Sequence, residues 1–285
     1  MFMIVGPTAA GKSSRAMEMA ARLNGEIISA DSRHVYRRMD IGTNKPTQTD
    51  QQAVPHHLLD LREPHESFSL AEYVRLARSA IDDVRARGRL PMLVGGTGQY
   101  VRALLQGWQV PEVPPNDALR EQWRQFAHAH GEDVLYAELL RRDPAATAID
   151  KRNVRRVIRA LEVMDATGQR WSDLQRSEPL DLKAEIIYVN APREALYACA
   201  DARLMTMIEH GWLDEMRALL DFFAAQNIDA EAARKLPSMS ALGYRELARM
   251  VQGTMTLDDA IAAIKQATRR FIRMQDAWFR KDAGN

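Results

Sequence analysis

The sequence contains a single cysteine, Cys199, among 285 residues. One cysteine excludes both an intramolecular disulfide and a zinc site built from cysteines, and a lone thiol is typical of a reducing compartment. Long hydrophobic runs are also missing, because no stretch approaches the ~18 apolar residues that would suggest a membrane span. The apolar N-terminal segment has no basic region before it, so we interpret it as a buried strand rather than a signal peptide. We therefore expect a cytoplasmic protein with no membrane partner.

The sequence also lacks an excess of either charge. Lys and Arg total 39 and Asp and Glu total 38, which gives a formal net charge of +1. Overall charge therefore predicts no polyanionic partner, and any site for one must come from local clustering. Hydrophobic residues at 46% and charged residues at 27% are typical of a globular protein. The length suggests about two domains, or one large domain with an insertion.

Four short apolar runs end at turn residues and predict buried strands of a parallel sheet. They cover residues 2–5, 26–30, 90–94 and 184–189. Helical patterns separate them, and the clearest begins at the capping box formed by residues 69–72 and ends at Gly88. Strands that alternate with helices predict an α/β fold with a parallel sheet.

The alternation stops after Trp108, where three prolines mark a linker: Pro111, Pro114 and Pro115. From residue 116 to about 175 the sequence shows only helical periodicity. A helical block bracketed by strands of one sheet predicts an insertion domain. We therefore divide the chain into a first core part at 1–111, an insertion at 112–182, and a second core part with C-terminal helices at 183–285.

Residues 6–13 form a complete G-x-x-x-x-G-K-[ST] phosphate loop. Its members are Gly6, Pro7, Thr8, Ala9, Ala10, Gly11, Lys12 and Ser13. Small residues let backbone N–H groups wrap a diphosphate, and the following helix N-terminus adds positive potential. Lys12 would neutralise phosphate charge, and the Ser13 hydroxyl would ligate Mg²⁺. The motif predicts a diphosphate or nucleotide site, ATP included, without deciding whether phosphoryl transfer follows.

Two further polar residues follow predicted strands, at the edge where open α/β sheets bind ligands. Asp31 follows the second strand and could act as a general base or as a Mg²⁺ partner, or could form an Asx turn. Thr97, within the glycine-rich residues 95–98, follows the third strand. Its hydroxyl could face a ligand that approaches the glycines, or could cap the next helix. Both alternatives stay open at this point.

The segment 151–159 holds five cations in nine residues, and no acid follows them before Glu162. The cations lie opposite an apolar stripe on a predicted helix. A solvated helix face usually mixes both signs, so a polyanion such as RNA is favoured. The last helix is similar, with Asp276 as the one acid between residues 265 and 281 and with Trp278 and Phe279 as core or base-stacking residues.

Together these residues resemble the tRNA dimethylallyltransferase family, nearly end to end. The likeness rests on the phosphate loop and on residues 30–32 with Tyr36, 39–43 with Lys45 and Pro46, 55–60, 94–97 with Tyr100, 159–163 and 243–245. The phosphate loop alone would not distinguish this family from kinases.

The family transfers a dimethylallyl group from dimethylallyl diphosphate to the N6 amine of adenosine at tRNA position 37. The resemblance implies a P-loop NTPase-like parallel sheet core with a helical insertion, a Mg²⁺ cofactor, the anticodon stem-loop of tRNA as partner, and a monomer. It implies that the phosphate loop and Arg203 hold the donor diphosphate, that Asp31 is the general base, and that Thr97 contacts the target nucleotide. It implies tRNA contacts for Asp31, Ser32, Arg33, His34, Thr97, Arg120, Arg155, Arg156, Val157, Ile158, Arg159, Ser240, Gly243, Tyr244, Arg245 and Arg273.

Two stretches depart from the family pattern, and three alternatives compete with it. The last helix reads Met-Gln-Asp-Ala-Trp at 274–278, where the family usually has Arg-Gln-x-Thr-Trp, and Ala10 replaces a usual Ser. A small-molecule kinase that uses ATP would leave the cationic helix unexplained. A prenyltransferase acting on a free nucleotide would leave the insertion unexplained. An RNA-binding regulator would not need Asp31 and Thr97 on one edge.

Overall fold

A computed structural model describes residues 1–109, 111–175 and 183–282. Within them, five parallel strands form one sheet in the order β3–β2–β4–β1–β5. The strands are β1 at Phe2–Val5, β2 at Gly25–Ser29, β3 at His56–His57, β4 at Leu90–Gly95 and β5 at Glu185–Tyr188. The predicted α/β class with a parallel sheet is confirmed, and the short β3 adds an edge strand to the four predicted runs.

The middle of the sheet is buried on both faces. Met3 and Ile4 are neighbours on β1 and point to opposite faces, yet both are fully buried. Ile4 pairs with Val94 of β4 and with Ile187 of β5. Because all strands run parallel, their carboxyl ends meet at one edge of the sheet, and the phosphate loop begins there.

Helices make up most of the remaining described chain. They are α1 at Lys12–Leu23, α2 at Gln48–Ala53, α3 at Leu70–Ala86, α4 at Gly98–Leu105, α5 at Asp117–His130, α6 at Glu132–Arg142, α7 at Val154–Thr167, α8 at Trp171–Leu174, α9 at Arg193–Glu209, α10 at Trp212–Ala225, α11 at Ala230–Lys235, α12 at Tyr244–Val251 and α13 at Leu257–Asp282. No helix among the described residues is both long enough and apolar enough to cross a membrane.

The chain forms two compact units. The first holds the described residues of 1–69, 73–105 and 181–285, and the second those of 70–72 and 106–180. The borders that we predicted at residues 111 and 182 stay a prediction, and residues 176–182 lie outside the described chain.

Each unit has its own apolar core. In the first, α10 and α12 pack Trp212, Phe223 and Tyr244 into a buried cluster. In the second, α6 and α7 bury Leu135, Leu139 and Leu161. The N-terminus of α7 is capped by Asn153, whose side chain accepts a hydrogen bond from the backbone N–H of Arg156.

Candidate active site

The phosphate loop joins β1 to α1 at the carboxyl edge of the sheet. Gly6 has a φ of 147°, and a Cβ there would lie 2.0 Å from the carbonyl oxygen of Val189, so only glycine fits. Gly11, with a φ of 84°, is the N-cap of α1 and supplies no side chain to cap it. The first N–H groups of α1 therefore have no side-chain cap, as in other anion-binding helix termini.

Lys12 folds back over this loop. Its Nζ donates to the carbonyl oxygen of Pro7 at 2.7 Å. Burial lowers the pKa of Lys12 to about 8; the charge of Asp31 opposes this shift and that of Arg203 adds to it. The three predicted site residues Lys12, Asp31 and Arg203 therefore interact electrostatically in one place.

Arg203 reaches the phosphate loop from α9. Its Nη2 donates to the Thr8 hydroxyl at 2.6 Å. Burial lowers the pKa of Arg203, which nevertheless keeps its charge at neutral pH. No local pattern shows this contact, because the two residues are 195 positions apart.

Asp31 and Thr97 meet at the next two strand ends. Asp31 Oδ1 accepts a hydrogen bond from the backbone N–H of Arg33 at 2.8 Å, which is an Asx turn. Thr97 Oγ1 accepts one from the backbone N–H of Ser32 at 3.0 Å. The turn therefore fixes the Asp31 carboxylate through Oδ1, and within the described residues Oδ2 accepts no hydrogen bond. The Asx turn therefore uses one carboxylate oxygen and leaves the other for the predicted role of Asp31 as a general base.

Gln275 of α13 is a site residue that the sequence analysis noted only within the family stretch 274–278, without the two hydrogen bonds that it forms. Its Oε1 accepts from the backbone N–H of Thr8, and its Nε2 donates to the carbonyl oxygen of Gly96, both at 2.8 Å. The side chain is buried, and a Cβ on Gly96 would lie 2.3 Å from Nε2. One amide therefore ties the phosphate loop to the glycine loop before Thr97.

The same helix brings Trp278 to the site. A Cβ on Gly98 would lie 2.2 Å from the Trp278 Nε1, and the Arg102 guanidinium lies 4.3 Å from the centre of the Trp278 ring. Phe279, in contrast, is buried in the core.

A cleft of about 690 Å³ unites these groups within the first unit. Its polar part contains the phosphate loop, Asp31, Thr97 and Arg203. Its apolar wall comes from α9, α10 and α13 and includes Leu204, Met207, Trp212, Ile264 and Phe271. An amphipathic ligand with a diphosphate head and a short hydrocarbon tail matches this division.

The residues predicted to contact tRNA separate into groups in the first unit. Ser32, Arg33, His34 and Ser240 line the cleft. Arg245 is exposed outside it, and exposed Arg273 donates to the Tyr197 hydroxyl at 3.1 Å.

Gly243 and Tyr244 are the buried members of the predicted tRNA-contacting set in the first unit. The Tyr244 side chain is fully buried, and its hydroxyl donates to Glu215 Oε1 at 2.6 Å. A Cβ on Gly243 would lie 2.3 Å from the Trp212 ring. The side chain of Tyr244 belongs to the core, and the contact of this residue with tRNA stays a prediction.

The cationic segment of the second unit is largely neutralised. Arg159 Nη1 lies 2.6 Å from Glu162 Oε2, and Arg120 Nε lies 2.9 Å from Glu162 Oε1. Lys151 and Arg152 pair with acids that precede them, Asp133 and Asp150 respectively.

Arg155 and Arg156 differ from their neighbours on this segment. Both are exposed, and neither has an ion-pair partner among the described residues. Val157 and Ile158 are buried in the core of the second unit, and their contact with tRNA stays a prediction. The cationic surface that remains on α7 is therefore the pair Arg155 and Arg156.

Comparison with known proteins gives one consistent family. A family model described as IPP transferase matches residues 34–282. The tRNA dimethylallyltransferase of Roseiflexus sp. (strain RS-1) is 50% identical, over 98% of this chain and 89% of the relative. That of Chloroflexus aggregans is 49% identical, over 98% and 92% respectively.

Solved structures agree with this result. The tRNA isopentenylpyrophosphate transferase of Bacillus halodurans is 38% identical, with a TM-score of 0.68 over 98% of this chain and 86% of that chain. A eukaryotic dimethylallyltransferase that acts on tRNA is 26% identical, with a TM-score of 0.81 over 98% and 69%. These matches confirm the predicted family and enzyme class and favour prenyl transfer over the kinase alternative: the chain belongs to the IPP transferase family.

Proposed function

We propose that this protein transfers a dimethylallyl group from dimethylallyl diphosphate to the N6 amine of adenosine at tRNA position 37 and releases diphosphate. The observation that carries the proposal is the cleft, where a phosphate loop, a carboxylate and an apolar wall meet. In the reaction the bond between C1 and oxygen breaks, and its electron pair leaves with the diphosphate. The bond between N6 and C1 forms, and one amine proton passes to Asp31.

The donor end of the cleft is suited to stabilise the leaving diphosphate. Backbone N–H groups of the phosphate loop, Lys12 and Arg203 would offset the charge that develops as the allylic bond breaks. Because these donors are already held in position, they need little rearrangement when the allylic bond breaks. The apolar wall would hold the five-carbon tail and exclude water from the allylic centre.

Mg²⁺ fits the donor end through Ser13. Mg²⁺ usually takes one or two protein ligands and completes its shell with water and substrate phosphates. The Ser13 hydroxyl lies in the first turn of α1, lines the cleft and is exposed, so it can serve as such a ligand. A bound Mg²⁺ would supply further charge neutralisation to the diphosphate.

The acceptor end is built around Asp31 and Thr97. The Asx turn holds Oδ1, so Oδ2 is the oxygen that we assign to the amine proton. Thr97, Ser32, Arg33 and His34 would contact the target nucleotide. The adenine must leave the anticodon stack to reach them, which costs less in a loop than in a duplex.

Contacts with the rest of the tRNA would come from exposed cations. We assign phosphate contacts to Arg155 and Arg156 of the second unit and to Arg245 and Arg273 of the first, with Ser240 at the cleft. Arg120 and Arg159 would act mainly by fixing Glu162 and α7. A monomeric, cytoplasmic enzyme completes the proposal, because the tRNA substrate is available there.

Labelled donors test the proposal directly. We expect unmodified tRNA to gain label from dimethylallyl diphosphate carrying ¹⁴C in the prenyl group, and mass spectrometry of digested tRNA to find the product on adenosine. We expect no transfer of ³²P from [γ-³²P]ATP to tRNA or to small acceptors. Transfer of ³²P without transfer of the prenyl group would contradict the proposal and support the kinase alternative.

A further inference from the structure

We propose that Glu215 is a positioning residue of the transfer reaction. It fixes the loop of residues 40–44, and this loop in turn maintains a chain of hydrogen bonds that ends at the backbone N–H of Asp31. This inference rests on the proposed function. Glu215 lies on α10 and does not line the cleft, whereas Gly42, Thr43 and Asn44 of the loop do. Glu215 therefore acts on the site through the loop.

The Glu215 carboxylate accepts four hydrogen bonds. Oε2 accepts from the backbone N–H groups of Asp40 and Ile41, both at 2.7 Å. Oε1 accepts from the backbone N–H of Gly42 at 3.2 Å and from the Tyr244 hydroxyl at 2.6 Å. Burial and the nearby Glu215 charge raise the pKa of Tyr244, so it stays a neutral donor. Hydrogen bonds to a charged acceptor are about twice as strong as neutral ones, so this carboxylate defines the loop conformation.

Two further contacts leave the loop little freedom. A Cβ on Gly42 would lie 2.0 Å from the Nε1 of Trp212, whose large ring is buried and cannot yield easily. At the end of the loop the buried Lys45 Nζ donates to Asp40 Oδ1 at 2.5 Å and to Asp60 Oδ1 at 2.6 Å. The loop is therefore fixed at its first residues, at its middle and at its end.

The loop is connected to Asp31 by a short relay. The carbonyl oxygen of Thr43 lies 3.2 Å from His34 Nε2, and His34 Nδ1 lies 3.2 Å from Ser29 Oγ. Ser29 Oγ also accepts from the backbone N–H of Asp31 at 3.4 Å. A carbonyl can only accept, so it selects the His34 tautomer with hydrogen on Nε2. Nδ1 then accepts from Ser29, and the Ser29 oxygen is directed at the Asp31 backbone.

The predicted effect is on the chemical step rather than on donor binding. The phosphate loop is held by Gln275 and by Arg203, and within the described part of the chain neither forms a hydrogen bond with residues 40–44. A displaced loop would shift the Asp31 turn, and a misplacement of about 1 Å can cost ~10²-fold in rate. We expect a fall of about 10- to 100-fold in the single-turnover rate, with the affinity for dimethylallyl diphosphate unchanged.

Two variants disturb the loop by different chemistry. Glu215→Gln keeps the shape but replaces one accepting oxygen by an NH₂ group, which cannot accept the bonds that the oxygen took. Gly42→Ala keeps every charge and forces a methyl group against Trp212. The matched control is Asp214→Asn in the same turn of α10. Within the described chain, the Asp214 carboxylate forms a salt bridge with exposed Arg217 alone.

The test combines single-turnover rates, donor affinity, thermal unfolding and ¹⁵N NMR of the His34 ring. Glu215→Gln and Gly42→Ala should share the loss of rate and of the Nε2–H signature of His34, and Glu215→Gln should keep donor affinity, while Asp214→Asn matches the wild type. Wild-type rates with an unchanged His34 signature would overturn the proposal. In Glu215→Gln, a loss of rate that only parallels lost donor binding or unfolding would also overturn it. If the wild type transferred no prenyl group, the proposed function would fail, while the His34 signature would still decide whether Glu215 sets the relay.

Discussion

The cleft of the first unit and helix α7 of the second both hold clustered charged side chains, but the two clusters are built differently. In the cleft, Lys12 and Asp31 are held by hydrogen bonds to nearby backbone groups, and Arg203 by a hydrogen bond to Thr8, 195 positions away. Among the described residues, no salt bridge neutralises either cation. On α7 and the segment before it, Lys151, Arg152 and Arg159 each pair with a carboxylate. A charged side chain that is fixed in place without a salt-bridge partner is suited to stabilise a reacting group, whereas an exposed cation is suited to contact tRNA phosphates. We therefore assign the chemistry to the cleft and tRNA binding to the unpaired part of α7.

The largest effect should come from Asp31→Asn. The amide cannot take the amine proton, and removal of a general base typically costs ~10²–10⁴-fold. Single-turnover rates with saturating tRNA would measure this loss, while tRNA affinity from filter binding should hold. A collapse of tRNA affinity with an intact rate would make Asp31 a binding residue instead.

Lys12→Ala should follow, with a loss of ~10²-fold or more. The change removes a charge that would oppose the developing charge on the diphosphate, and deletion of one such donor typically costs this much. Steady-state kinetics with varied dimethylallyl diphosphate would show it. Normal turnover would remove the phosphate loop from the mechanism.

Gln275→Ala should remove the two hydrogen bonds that connect the phosphate loop to the glycine loop before Thr97. It leaves the Thr8 N–H and the Gly96 carbonyl without their shared partner, and an unsatisfied buried group costs about 1–3 kcal/mol. Urea unfolding should show that loss, and the KM for the donor should rise. A variant with unchanged stability and KM would show that the Gln275 amide does not hold the two loops together.

The pH dependence of donor binding should identify Lys12. Its pKa of about 8 in the free protein means that the ammonium loses its proton as pH rises through 8. A bound diphosphate favours the protonated form, so donor affinity should be full below pH 8 and fall above it by up to about tenfold per pH unit. Titration calorimetry from pH 7 to 9.5 would measure this, with Lys12→Ala as the flat control.

The smallest effect should come from Arg155→Ala combined with Arg156→Ala. Each lost phosphate contact should flatten the salt dependence of tRNA binding by roughly 0.7 in the log–log slope for single strands, and by more for duplexes. Stability should change by less than ~0.5 kcal/mol, because both side chains are exposed. Lys151→Ala is the matched control, since Asp133 already pairs with that charge. Equal slopes in all three proteins would make α7 an ordinary solvated surface.

Local sequence patterns predicted the strands and turns that form the cleft, but not the long-range hydrogen bonds that connect them. The phosphate loop, the Asp31 turn and the Thr97 turn follow strands whose apolar runs are visible in the sequence. Gln275 and Glu215 act on residues 267 and 175 positions away, and no local pattern encodes such pairs. In the segment 151–159 the charge count missed two ion pairs, because it did not include Asp133 of α6 or Asp150 just before the segment. Val157 and Ile158 show a further limit: the stretch that the family resemblance matched to tRNA also includes positions whose side chains face the core.

The most direct test of this division of roles measures tRNA affinity and single-turnover rate side by side for Asp31→Asn and for the Arg155→Ala, Arg156→Ala double variant. We predict opposite patterns: the first keeps tRNA affinity and loses at least ~10²-fold in rate, and the second loses affinity and keeps the rate at saturating tRNA. If both variants lost rate and affinity together, the separation between a catalytic cleft and a tRNA-binding helix would be contradicted.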